Sequence, residues 1–110
     1  MLLGEEVQLF HTPGETKDHI TVWLPEKRVV FPGNNINQAF PAVYSLEGTP
    51  YRDTKIWCKS IDLIRGLEPL HMVPSHTGPV SGPAVLDILT VYRDALQYVH
   101  DQTVRYMNKG

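Results

Sequence analysis

Residues 10–19 read Phe-His-Thr-Pro-Gly-Glu-Thr-Lys-Asp-His (FHTPGETKDH), an apolar strand pattern that breaks into a Pro-Gly turn carrying histidines and acids. Pro13 presets φ and Gly14 tolerates a positive one, so the pair predicts a tight turn that presents Glu15 at a strand edge. Strand ends are where side chains from separate segments converge on a site, and a chemistry in this chain is expected to begin there.

Working outward, apolar residues alternate with Gln8 over 7–10. Ile20, Val22 and Leu24 fall on one side of a second strand over 20–24, with Trp23 opposite. Pro25-Glu26-Lys27 reads as a turn, Arg28 to Phe31 as a third strand, and Pro32-Gly33 as its end. The result is a meander. Residues 34–53 hold no sustained period but carry Phe40, Val43, Tyr44 and Tyr51, which predicts an ordered loop covering a site or an interface. Asp53 or Thr54 caps a helix to about Leu67, with Ile56, Trp57, Ser60, Ile61, Ile64 and Leu67 on one side. Leu70 to Val73 reads as a strand, followed by the turn-rich PSHTGPVSG. Pro83 opens a long helix to about Tyr106 whose apolar stripe is Val85, Ile88, Leu89, Tyr92, Ala95, Leu96 and Val99. Strands followed by helix, strand and helix predict an α/β or α+β unit with open sheet edges.

The chain has 110 residues, the size of one small domain that buries roughly 60 to 70% of its unfolded surface if it folds alone. A hydrophobic share of 42% with 20% charged residues is ordinary for a globular protein. No apolar run reaches the ~20 residues of a membrane span, and MLLGEEVQLF lacks the pattern of a secretory signal. This leaves localisation open. A formal net charge of -2, with scattered lysines and arginines, offers no electrostatic footprint for nucleic acid. The single cysteine, Cys58, excludes an internal disulfide and a cysteine-based zinc cluster. Cys58 is expected to be a small buried apolar residue.

Metal chemistry would therefore draw on His, Asp and Glu. His76 follows a short strand inside Ser-His-Thr-Gly-Pro, the same strand-end setting as Glu15. Two such turns converging at one sheet edge bring together imidazole and carboxylate, a set that suits zinc, although two ligands do not hold zinc tightly. The alternative for each is a turn residue bonded to backbone. His11 either orients Glu15 or bonds the loop backbone, and His19 either supports a metal ligand from behind by donating a hydrogen bond or pairs with Asp18 in solvent. His71 is expected on a sheet surface and His100 on a helix surface. The Asn34-Asn35 pair follows a third strand-end turn, where asparagine supports turn geometry through its amide.

With HTPGET, FPGNN and VPSHTGPV side by side, the chain resembles the metallo-β-lactamase superfamily and, within it, the zinc-dependent alkyl sulfatases. TPGETKDH, AFPAVYSLEGTPYRD and YRDALQYVHDQTVRYMNKG carry the match over essentially all of the chain. The resemblance implies an αββα sandwich with two zinc ions at one edge, of which residues 1–98 are the carboxy-terminal half. It further implies that residues 99–110 begin a helical dimerisation domain. Members cleave sulfate esters of alkyl alcohols. Glu15 looks like the carboxylate ligand of one zinc, His76 like the imidazole ligand of the other, and Asn34 occupies the position of an acidic ligand. Glu47 stands where the group has an arginine that resembles a sulfate-binding residue. A neutral amide at Asn34 weakens the hold on two dications, and a carboxylate at Glu47 repels a sulfate monoester. The superfamily's His-x-His-x-Asp-His signature does not occur in these residues. The expectations are weak or absent zinc binding and no activity by this chain alone. The alternative is a non-catalytic module that forms a homodimer or associates through its exposed sheet and long helix.

Overall fold

The computed structural model describes residues 5–36, 54–75 and 77–108. The predicted loop over 34–53 falls almost wholly outside them. Within the described residues five strands form one sheet in the order β1-β2-β3-β4-β5, namely Gln8–His11, Ile20–Leu24, Val29–Gly33, His71–Pro74 and Val80–Ser81. Among the described residues two helices, α1 (Thr54–Gly66) and α2 (Pro83–Asn108), join the sheet in a mixed α/β unit.

The first three strands are the expected antiparallel meander, in register through Leu9 opposite Val22 and Trp23 opposite Val30. β3 then pairs parallel with β4, so α1 belongs to the crossover between them. β3 continues through Pro32 to Gly33, past the expected end at Phe31, and its register with β4 shifts between Val30 and Gly33. That irregularity accommodates a proline without a ladder donor. Gly33 has φ +59, a conformation glycine adopts at no steric cost. β5 was not expected. It is two residues long and lies inside the turn-rich segment, where Val80 pairs with Met72 and Ser81 with His71.

The helices cover one face of the sheet. Trp23, Val30 and Met72 lie in one row across β2, β3 and β4 and are buried against Trp57, Ile61 and Ile64 of α1 and Val85, Leu89, Tyr92 and Leu96 of α2. Fully burying such side chains contributes ~1.5–3 kcal/mol each. The expected stripe of α1 needs one correction, since Ile56 is exposed, whereas Cys58 is buried as expected. Cys58 sits against the Arg93 carbonyl, and burial pushes its thiol up from its ordinary range. The Trp57 and Tyr92 rings meet at 6.2 Å between centroids, tilted by 52°. At the solvent side Asp62 of α1 receives Arg65 and Arg93, at 2.9 and 3.2 Å, tying the helices together. α2 opens at Pro83, as expected, and runs without interruption through residues 98 and 99.

Candidate functional site

The turn after β1 is fixed by partners from three other segments. Thr12 donates its backbone N–H to the His19 carbonyl at 2.9 Å, which closes the loop. The buried Thr12 hydroxyl lies 2.7 Å from Thr21 Oγ1 and 3.2 Å from His19 Nδ1. Ser60 of α1 donates to the Pro13 carbonyl at 2.6 Å. Gly14 packs so closely that a Cβ there would stand 2.6 Å from Asn35 Oδ1 and 2.7 Å from Trp57 Cδ1. Its φ is not positive, so close approach, rather than the expected backbone freedom, is what requires glycine.

Asn35 is the neighbour that fills this space. Its Oδ1 accepts from the Glu15 N–H at 2.9 Å and its Nδ2 donates to the Thr12 carbonyl at 2.7 Å. Its own carbonyl accepts from Trp57 Nε1 at 3.1 Å. Asn34, the position matched to an acidic ligand, is exposed on the same turn.

The histidines of this end are held by the loop. His11 Nε2 donates to the Lys17 carbonyl at 2.7 Å, the backbone-bonding alternative of the two expected for it. His19 is half-buried rather than paired in solvent with Asp18, and its Nε2 would stand 2.6 Å from a Cβ at Gly33. Burial lowers the His19 pKa from its ordinary value, with the Glu15 carboxylate opposing that shift. Farther away, His71 is exposed on the sheet as expected, 2.8 Å from Ser81 Oγ. His100 departs from the expected free helix surface, since it is half-buried with Nδ1 3.4 Å from Thr54 Oγ1 at the start of α1.

No family model matches the chain. The linear primary-alkylsulfatase of a Pseudomonas species is 42% identical over 111 residues, which cover 99% of this chain and 21% of that protein. The chain belongs to the alkylsulfatase group of the metallo-β-lactamase superfamily. The alkyl/aryl-sulfatase BDS1 of Saccharomyces cerevisiae is 29% identical over 103 residues, 89% of this chain and 16% of that one. Among solved structures, the stereoselective inverting sec-alkylsulfatase Pisa1 from Pseudomonas sp. superposes with a TM-score of 0.89 at 24% identity, over 99% of this chain and 18% of that chain. A metallo-β-lactamase family protein from Thermus thermophilus follows the same fold, with a TM-score of 0.72 at 20% identity over 89% of this chain and 32% of that chain. This alkylsulfatase-group chain thus spans about a fifth of the length of these sulfatase relatives.

Of the expected metal ligands, Glu15 and Asn34 lie on neighbouring turns at one end of the sheet, joined through Asn35. His76 and Glu47 lie outside the described residues. A carboxylate carried on a pinned, half-buried turn is a donor that fits a zinc ion. One such donor is not a site, and among the described residues no three His, Cys, Asp or Glu side chains converge. The Asn34-Asn35 pair was expected to support its own turn, and Asn35 instead bonds the turn after β1. The Asn-Asn pair drew attention to the exposed member, and nothing in the local sequence points to a bond 20 residues back.

Proposed function

We propose that these 110 residues are one part of an alkylsulfatase-like hydrolase of sulfate esters and do not hydrolyse such esters by themselves. The observation that carries the reading is coverage: a match over 99% of this chain takes up only 21% of the linear primary-alkylsulfatase. Residues 1–98 are assigned to the metallo-β-lactamase-like domain and 99–110 to the start of a dimerisation-type helical domain, α2 serving both.

Glu15 and His76 are the proposed ligands of a zinc pair, with Asn34 at the position of an acidic ligand. Zinc, when bound in such a hydrolase, supplies a water of lowered pKa and offsets anionic charge on the group being transferred. The residues of this chain provide the mount. The turn holds Glu15 at the sheet end on a backbone pinned by Asn35 and Ser60, while His11 ties down the Lys17 carbonyl beside it. Two departures argue against turnover of an alkyl sulfate: Asn34 offers no charge to a metal pair, and Glu47 repels a sulfate where an arginine would clamp it. Incubation of the purified chain with zinc and dodecyl sulfate, followed by measurement of released sulfate, is expected to give the protein-free rate. Sustained zinc-dependent release would overturn the proposal.

A second reading, a module that works by association, is favoured by Leu9 and Ile20, which are 65% and 47% exposed on the helix-free face. Light scattering of the chain separates the two readings. Concentration-dependent self-association supports the module, and a stable monomer counts against it.

A further inference from the structure

We propose that Asn35 is the positioning residue of the Glu15 turn, setting where the Glu15 carboxylate stands by bridging that turn with its side-chain amide while α1 holds its own backbone. The proposal builds on the reading of Glu15 as a metal ligand and adds the group that places it.

The amide of Asn35 is spent at both ends on one short piece of chain. Oδ1 takes the Glu15 N–H and Nδ2 gives to the Thr12 carbonyl, at 2.9 and 2.7 Å. These partners also fix the orientation of the amide, since a flip would set donor against donor and acceptor against acceptor. Asn35 is fully buried, so no water is at hand to replace either bond. An asparagine that merely stabilises its own turn bonds backbone nearby, whereas this one reaches 20 and 23 residues back. The arrangement is also held from behind. Trp57 Nε1–H donates to the Asn35 carbonyl at 3.1 Å, and the Asn35 N–H donates to the Pro32 carbonyl at 3.3 Å. Gly14 closes against both Asn35 and Trp57, leaving the turn little room to shift. Two strand-end turns, 12–15 and 32–35, are therefore locked to each other through the Asn35 side chain and to α1 through the Asn35 carbonyl. Asn35 is not available as a metal ligand, and Glu15 inherits its place from it.

The test uses the 110-residue chain and two readouts. Hydrogen exchange of peptides spanning 12–16 reports whether the turn is held. Asn35→Ala is expected to raise exchange there by about tenfold while α1 keeps its protection, the scale expected when a net bond of roughly 1–1.5 kcal/mol is lost. Unchanged exchange over 12–16, or equal loss over 54–66, would overturn the positioning role. Zinc affinity, measured by competition with a chromophoric chelator, reports what the position is for. Asn35→Ala is expected to weaken zinc by about tenfold or more, as removal of a supporting group around a ligand does. Asn35→Ala combined with Glu15→Gln is expected to bind no more weakly than Glu15→Gln alone, because the first residue acts through the second. Additive losses would overturn the proposal. Unchanged affinity in Glu15→Gln would instead remove the metal role of Glu15, with the exchange measurement still deciding whether Asn35 holds the turn. Trp57→Phe, which frees the Asn35 carbonyl while keeping an aromatic ring in the core, is the milder variant should Asn35→Ala fail to fold, and it is expected to move both readouts in the same directions.

Discussion

The two faces of the sheet differ although the same strands supply both. On the helix side Trp23, Val30 and Met72 form a continuous buried row under α1 and α2. On the other side Leu9 and Ile20 are exposed, and Val22, Leu24, Val29 and Phe31 are only half-buried. Alternation along a strand normally places polar residues on the solvent side. Here both sides are apolar, the composition of a strand covered twice. The difference teaches that burial on one face follows from elements in this chain, whereas the apolar character of the other has no covering element among the described residues.

The largest expected effect separates the faces directly. Met72→Ala opens a cavity in the helix-covered face and is expected to cost ~2–5 kcal/mol. Leu9→Ser, on the other face, is expected to change stability by less than about 0.5 kcal/mol in the isolated chain. Denaturant unfolding of both variants checks the comparison, and equal losses would mean that the open face is covered after all. A smaller effect tests the turn that the helix side holds. Gly14→Ala would drive a methyl into Asn35 and Trp57, at an expected cost of ~1–3 kcal/mol. Gly78→Ala, where no atom of the described residues lies within 4 Å of a Cβ, is expected to be neutral or slightly stabilising. Thermal melts of the pair give the answer.

The smallest expected effect is one of pH. The folded value of His19 lies below its ordinary 6.5, so the unfolded chain binds the proton first. Its contribution is full above pH 6.5 and declines as pH falls through that value toward the lowered folded one. Melting temperatures followed from pH 7.5 downward are expected to fall less steeply in His19→Gln than in the parent. An identical slope would show that His19 is not the group responsible.

Hydrophobic period, proline and glycine are local signals, and the sequence by itself determined what they encode. It determined the meander of β1 to β3, the helices opening at Thr54 and Pro83, the burial of Cys58, and the motifs that mark an alkylsulfatase relative. Only the tertiary structure decided the features that join distant segments. β5 is too short to show an alternation. The parallel pairing of β3 with β4, the outward turn of Ile56, and the contact of His100 with Thr54 depend on how α1 and α2 lie on the sheet. Asn35 makes the distinction sharpest. Its side chain satisfies backbone groups at Thr12 and Glu15 that are neighbours only in the folded chain, and hydrogen bonds of that reach leave no trace in local sequence.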